Sequence, residues 1–579
     1  MNRYGLLCRC ILEHPGATQR ELALMLDVSL GTVNTLIKEC SAKAYQNLNS
    51  AGDYELTSAG MAFMEQYRVD AALIIAAGFG SRFVPLTFET PKGLLEVFGE
   101  RMIERQIKQL HTAGIYDITI VVGYLKEKFE YLIDKYQVKL LYNPEYSCKN
   151  TLATVYRARE VLRGRNVYLL SSDNWMRENM YHTYECNGWY SSVFMEGDTS
   201  EWCLSFNKKG RITECHIGGR DSWVMYGPVF FSKEFSYQFL PVLESYYQIS
   251  GTEQFYWEQV YTDLLNGEAK RRITNARLPL PEVLKKRAVD PELDMYINKQ
   301  PANQVYEFEN LEELRLFDPK YQSKSDNQAM ALVSRVFQIP ESEIRDIRCL
   351  KSGMTNQSFL FQVQGTHYLC RIPGPGTELL INRRQEKNVY DVVAPLGITE
   401  HVIYFDGETG YKISEFYEGS RNANPADPQD MKQCMALLRQ FHNTGLQVDH
   451  DFDLKERISF YEKLCYNQGS IPFDDYDMVS EWMDELLKLL GKQRREKVLA
   501  HIDSVADNFL FLPDGSVRLI DWEYAGMCDP LIDVAMCAIY SYYTLEQGYD
   551  LLRTYLGKEP TRKEQLVFYS YMGLGGFLW

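Results

Sequence analysis

The sequence has no apolar stretch of about 18 residues, the length a membrane-spanning helix needs. After Met1-Asn2-Arg3-Tyr4 a helical pattern breaks at Glu13-His14-Pro15, with no signal-peptide core or small-residue cleavage site, so a cytoplasmic protein with no membrane partner is expected. The 13 cysteines include no Cys-x-x-Cys pair and only Cys8 and Cys10 stand close together, so neither a zinc knuckle nor a disulfide framework is signalled and reduced, mostly buried thiols are expected. There is no Gly-x-x-x-x-Gly-Lys-Ser/Thr loop and no His-Glu-x-x-His helix, and the 9 histidines do not cluster. Positive charge is in short supply: 62 Lys and Arg against 78 Asp and Glu give a net charge of −16, the wrong sign for a nucleic-acid packager or a coat for anionic lipid. Internal repeats and low-complexity tracts are also missing.

What is there is a chain of 579 residues, 45% hydrophobic and 24% charged, long enough for three or four domains with real cores. Residues 1–69 have helical spacing. Thr18 with Glu21 forms a capping box, Ser29 caps a second helix through Glu39, and Tyr54-Glu55-Leu56-Thr57 supplies a small strand, which together predict a winged helix-turn-helix. This segment carries a net charge of −1, poor for gripping phosphates, so DNA binding and a docking or dimerisation role stay open, and a homodimer could still bind DNA.

Residues 70–321 open with the buried-strand run Ala71 to Ala77, and strands are predicted at Ile118 to Val122, Val138 to Tyr142 and Val167 to Ser171 with helices between them. Alternation of this kind predicts a doubly wound, Rossmann-like α/β sheet. The first strand runs into Gly78-Phe79-Gly80-Ser81-Arg82, a turn whose backbone N–H groups can meet a polyphosphate, with Arg82 and Lys92 to neutralise it.

The string from Ala76 and Ala77 through Gly78, Gly80, Ser81 and Arg82 to Pro91-Lys92 resembles the signature of sugar-nucleotide-type nucleotidyltransferases. Over residues 71–321 the closest likeness is to bacterial CTP:phosphocholine cytidylyltransferases, through Val122-Gly123-Tyr124, Asn150-Thr151, Ser172-Asp173-Asn174, Glu201-Trp202, Tyr256-Trp257-Glu258 and Val305 to Glu309. The resemblance implies attack of a phosphate oxygen on the α-phosphorus of CTP with pyrophosphate leaving. It also implies Mg²⁺ on Asp173 and Glu309, the latter where an Asp is usual. A quaternary ammonium is best held by aromatic faces beside a carboxylate, which singles out Trp202, Tyr226, Trp257 and Glu258; any one tryptophan also fits core packing.

Residues 328–579 read as a small strand-rich lobe, with strands around Phe359 to Val363 and His367 to Ile372, followed by helices, the layout of protein-kinase-like phosphotransferases. His501-Ile502-Asp503 with Asn508 five residues after the Asp, then Asp521 behind a buried strand, places one base and two metal ligands around a nucleotide phosphate. Asp503 would orient the attacking hydroxyl and accept its proton, Asn508 and Asp521 would hold Mg²⁺, and His501 supports the loop. Upstream, Lys351 to Asn356, including Ser352, reads as the phosphate-covering turn. Arg371 stands where protein kinases carry lysine, and Glu386 either pairs with it or is a solvated helix charge. Ile413-Ser414-Glu415-Phe416 reads as the adenine hinge.

These features resemble choline/ethanolamine kinases and the related aminoglycoside phosphotransferases, and most of all bacterial choline kinases. The likeness implies a trimethylammonium cage from Trp522, Glu523, Asp529, Tyr540 and Trp579. Ile502 departs from the family's usual Asn and is expected to face away from the phosphate. The family usually continues past Phe577-Leu578-Trp579 with another aromatic helix, so a truncated C-terminus or an incomplete cage is expected. Taken together the segments predict consecutive reactions, choline plus ATP to phosphocholine and phosphocholine plus CTP to CDP-choline. The rivals are the same reactions on ethanolamine or another amino alcohol, and a choline-responsive DNA-binding regulator. The intact acids and Lys92 speak against the regulator.

Overall fold

The computed structural model describes residues 2–285, 293–350, 356–374, 376–493 and 495–579. The chain divides into two compact units, Met1–Gln322 and Ser323–Trp579. Among the described residues no helix is long and apolar enough to cross a membrane.

The first unit begins with helices Arg3–Glu13, Gln19–Met25 and Leu30–Ala42, an antiparallel pair Gln46–Leu48 and Tyr54–Leu56, and helix Ser58–Glu65, in the winged helix-turn-helix order. The capping box forms: Glu21 N–H donates to Thr18 Oγ1 while Thr18 N–H donates to Glu21 Oε2 at 2.7 Å. This segment is not separately packed. Its core of Leu7, Cys8, Ile11, Leu22, Val33, Cys40 and Met64 also takes in Tyr184 and Cys186 from the fold that follows. Gly5 makes the approach close, because a Cβ there would stand 2.7 Å from Cys186 Sγ.

A seven-stranded sheet follows, in the order Tyr296–Lys299, Trp189–Phe206, Ile212–Phe231, Val167–Ser171, Ala71–Ala76, Ile118–Val122, Lys139–Tyr142. The last four strands are parallel and form a Rossmann-like, doubly wound core. Alternate residues of Ala71–Ala76 enter two different cores, Leu73 one and Ile74 the other, so the strand is apolar throughout because both its faces are covered. The chain winds one way from Ala71–Ala76 to Ile118–Val122 and Lys139–Tyr142, and then returns to place Val167–Ser171 on the opposite side. That reversal leaves a crevice beyond the strands' C-terminal ends, the usual ligand position of such sheets. The long hairpin Trp189–Phe206 and Ile212–Phe231, with several register shifts, was not foreseen from sequence.

The second unit starts with helix Gln328–Phe337 and a five-stranded antiparallel sheet in the order Arg345–Cys349, Asn356–Val363, Thr366–Pro373, Lys412–Glu415, Val402–Phe405. Helix Arg383–Val393 follows in sequence and buries Val389, Tyr390 and Val393 in the core it shares with the larger lobe. The larger, mostly helical lobe contains Pro428–His442, Leu531–Tyr540, Leu545–Leu556 and Arg562–Leu578, and its buried core includes Leu438, Phe441, Trp522, Val534 and Phe568.

Candidate functional site

Each unit holds one cavity where its sequence motifs converge. In the first, strand Ala71–Ala76 runs into the glycine turn, and a cavity of about 560 Å³ opens over it, lined by Ala77, Gly78, Gly80, Ser81, Arg82, Lys92, Asp173, Glu307 and Glu309 among others. Gly80 is required twice: its φ is +68°, and a Cβ would press on Lys92 Cβ and Thr87 Cγ2 at 3.2 Å each. Lys92 Nζ lies 2.6 Å from Asp173 Oδ2, and Arg82 pairs with Glu309. Burial alone would push the Asp173 carboxyl up, but the Lys92 ammonium outweighs it and the net shift is downward, so Asp173 is ionised.

Gly123 and Tyr124 do not line this cavity; they brace its turn. Tyr124 N–H donates to Ala77 O at 3.1 Å, its ring meets Phe79 edge-on at 4.8 Å, and a Cβ at Gly123 would strike Ala77 O at 2.7 Å. Trp257 is also elsewhere than expected. It is 3% exposed in the core, stacked on Tyr190 at 5.9 Å, because an apolar ring at the start of helix Trp257–Leu265 finds Phe231 and Phe239 before it finds a ligand. Trp202 is half-buried against the same core. Glu258 is half-buried and does not line the cavity; it accepts a hydrogen bond from Tyr190 at 3.2 Å, and loss of solvent around its carboxyl pushes its pKa up to about 7. Tyr226 accepts the Glu307 N–H at 2.9 Å.

Glu307 is the residue sequence reasoning passed over. Its Oε1 accepts from Asn174 Nδ2 at 2.7 Å and from Gly227 N–H at 2.9 Å, and burial, with the Asp173 charge adding to it, pushes its pKa up to about 7. The alternation Glu307-Phe308-Glu309, with both acids on one side of an extended segment, was the available signal. Tyr256, part of the Tyr256-Trp257-Glu258 string but given no role there, lines this cavity with Tyr146.

The second cavity, of about 500 Å³, is lined by Asn356, Arg371, Lys412, Asp503, Asn508, Asp521, Glu523, Tyr524, Tyr540 and Trp579 among others. Asn508 Nδ2 donates to Asp503 Oδ2 at 3.0 Å and to Asp503 O at 2.8 Å. Burial pushes the Asp503 pKa up to about 6, and burial together with Glu523 pushes Asp521 up. Glu386 is not solvated: its side chain is fully buried and takes both Arg371 Nη groups, the longer contact being 3.0 Å, while Arg371 Nη1 lies 3.6 Å from Asp521 Oδ1. His501 is buried and held neutral, its pKa pushed down to about 4 by burial, with Nε2 on Ile520 O at 3.0 Å. That geometry gives His501 a supporting place.

Several expected contacts lie elsewhere. Trp522 is fully buried and faces the lobe's core, its ring edge-on to Phe441 and His501 and its Nε1 donating to Thr399 Oγ1 at 2.9 Å, so it does not line the cavity. Asp529 is buried with Arg495 as partner and is likewise outside the cavity. Glu415 turns to His401 Nδ1 at 3.3 Å, beside a different hollow. Ser352 falls outside the described residues. Ile502, as expected, points into the core, fully buried. Tyr524, Tyr540 and Trp579 do come together, with Trp579 edge-on to Tyr524 at 4.9 Å and to Tyr540 at 6.4 Å.

The Nucleotidyl transferase family matches residues 71–186, the Phosphotransferase enzyme family residues 346–564, and the Winged helix-turn-helix DNA-binding family residues 6–43. The chain is 29% identical over 244 residues to a choline-phosphate cytidylyltransferase of Streptococcus pneumoniae, covering 42% of this chain and 95% of that protein. It is 32% identical over 252 residues to a 2-aminoethylphosphonate cytidylyltransferase of Lancefieldella rimae, covering 43% of this chain and 92% of that protein. Among solved structures, that of choline kinase LicA from Streptococcus pneumoniae matches at 27% identity with a TM-score of 0.38, covering 43% of this chain and 88% of that one.

Proposed function

We propose, on the premise that this chain belongs to the nucleotidyl transferase family through its middle segment and carries a phosphotransferase-family segment after it, that one polypeptide phosphorylates choline with ATP and then joins phosphocholine to CMP. The observation that carries this reading is the pairing of two nucleotide-sized cavities, one with Lys92 and Asp173 and the other with Asp503, Asn508 and Asp521, on a single chain.

In the kinase cavity, ionised Asp503 aligns the choline hydroxyl and takes its proton as the oxygen attacks the γ-phosphorus of ATP and ADP leaves. Tyr524, Tyr540 and Trp579 form the aromatic wall beside Asp503 that suits a trimethylammonium. In the transferase cavity a phosphocholine oxygen, already ionised, attacks the α-phosphorus of CTP and pyrophosphate departs. Lys92, Arg82 and the N–H groups of the Gly78 to Ser81 turn align and neutralise the triphosphate.

The oxygen donors Asp173 with Glu309, and Asn508 with Asp521, would suit Mg²⁺, a hard ion that takes few protein ligands and completes its shell with phosphate and water oxygens. Among the described residues no group of three or more His, Cys, Asp or Glu could hold a metal ion by itself. When bound, Mg²⁺ supplies charge neutralisation for the phosphates. Both co-substrates are cytoplasmic nucleotides, and we place the reactions there.

A second reading, an aminoethyl head group in place of choline, is supported by the 32% identity to a 2-aminoethylphosphonate cytidylyltransferase, 92% of which this chain covers. For residues 1–69 a docking role is favoured over DNA contact, since Lys38 is the only basic residue on helix Leu30–Ala42.

Coupled assays test the whole reading. Choline plus ATP is followed as ADP and phosphocholine plus CTP as pyrophosphate, beside the ethanolamine compounds and 2-aminoethylphosphonate. ADP formation lost only in Asp503→Ala and pyrophosphate lost only in Asp173→Ala establish two independent activities; silence in both assays refutes them.

A further inference from the structure

Arg383 is the first residue of helix Arg383–Val393, the helix that also carries Glu386, and its side chain is only 7% exposed. Its Nη1 lies 2.9 Å from Glu386 Oε2 and 3.0 Å from Glu523 Oε2, and its Nη2 donates to Asn356 Oδ1 at 3.0 Å. Asn356 Nδ2 in turn donates to Glu523 Oε2 at 2.9 Å. Three separate pieces of chain meet here: strand Asn356–Val363, the helix, and the loop in which Glu523 follows Asp521 by two residues. Gly410 makes room for the guanidinium's stem, since a Cβ at 410 would stand 2.9 Å from Arg383 Cγ and Cδ.

We propose that Arg383 is a positioning residue for phosphoryl transfer, a latch that fixes the Glu386 helix to the loop presenting Asp521. The physical case is one of shared partners. Glu386 is divided between Arg371 and Arg383, Arg371 also lies 3.6 Å from Asp521 and Arg383 3.0 Å from Glu523, so the strand's guanidinium and the helix's both reach the same loop. A planar guanidinium can satisfy Glu386, Glu523 and Asn356 at once, whereas an ammonium is a single point of charge. Burying these charges costs solvation, so the cluster holds only while all its members are in register, which makes it sensitive to helix position. Its consequence for Glu523 is direct. Although that carboxylate lines the cavity, its Oε2 is engaged by Arg383 and Asn356, which assigns it to holding the helix and strand and not to caging the substrate's cation.

This inference rests on the kinase reading, so the full chain is assayed as wild type, Arg383→Met, Arg383→Lys, Glu523→Gln and the Met/Gln double variant. ADP release is measured against ATP and against choline, alongside ATP binding and thermal melting. The latch predicts that Arg383→Met lowers kcat by about tenfold or more while choline KM moves by less than about twofold. It predicts that Arg383→Lys recovers part of the loss and that the double variant is no worse than Arg383→Met, because both changes break one contact. Glu523→Gln that raises choline KM with kcat unchanged would put Glu523 on the substrate and overturn the latch. So would Arg383→Met that melts lower yet keeps the wild-type kcat; if it does not fold, the Lys variant decides on the same criteria. Wild type that forms no ADP with any amino alcohol sinks the kinase reading separately, and the latch is then judged by whether Arg383→Lys slows intrinsic ATP hydrolysis.

Discussion

The backbone N–H of Ile502 donates to Asp533 Oδ1 at 2.6 Å, across 31 residues of sequence. Asp533 Oδ2 accepts the His501 N–H at 2.8 Å and also faces His442 Nε2 at 2.9 Å. The contact explains an awkward backbone. Ile502 has φ +72°, a left-handed conformation that a β-branched residue rarely adopts and that Asn, the usual residue at this place, tolerates well. Asp533 holds the loop in that shape and so sets where Asp503, the next residue, stands.

Asp533→Ala leaves two buried N–H groups unpaired and frees the loop. Choline phosphorylation is expected to fall by about 100-fold, the order that misplacing a catalytic group costs, with the cytidylyltransferase rate unchanged. Steady-state kinetics of both reactions check this; equal losses in the two would contradict it.

The pH dependence of the kinase follows from Asp503, whose pKa burial pushes up to about 6. Only the ionised carboxylate accepts the hydroxyl proton. Thus kcat/KM for choline should fall about tenfold per pH unit below about pH 6 and level off above it. The stability sign is opposite: a carboxyl with a raised folded-state pKa stabilises the fold at low pH, and that contribution is lost as pH rises through about 6. Melting of Asp503→Asn across this range, compared with wild type, separates the two effects.

Lys92→Met removes the cation 2.6 Å from Asp173 and the positive charge at the triphosphate turn. A loss of about 100- to 1,000-fold in pyrophosphate formation is expected, as for the removal of one preorganised charge-stabilising donor. Choline-dependent ADP formation should be unaffected, and a parallel fall there would show a folding defect in place of a chemical one.

Arg9 tests whether the winged segment is integral to the transferase unit. It pairs with Glu185, whose side chain is 3% exposed and which also accepts the Tyr168 hydroxyl at 2.8 Å. Arg9→Met strands a buried carboxylate, and such losses cost about 3–5 kcal/mol. Urea unfolding of the full chain should show the first unit weakened and the second unchanged, with Glu185→Gln restoring part of the stability.

Much of the chemistry was legible because it is local. His501 to Asn508 places base and amide within one loop, Gly78 to Lys92 places turn and cation within one crossover, and the bounds of Ile118–Val122 and Val167–Ser171 follow from apolar runs that must be covered on both faces. The capping box of Thr18 and Glu21 is equally a matter of neighbours. What only the tertiary structure decided depends on groups far apart in sequence. Trp257 and Trp522 look like ligand aromatics in a string and are core residues in space, because a large apolar ring is drawn to whichever partners enclose it. Glu307 gained its place from Asn174 and Gly227, Glu523 from Arg383, and the winged segment its seat from Glu185 and Cys186. Periodicity and spacing fix an element and its motif; the partner that a side chain meets across the fold is set by packing, to which one-dimensional spacing carries no guide.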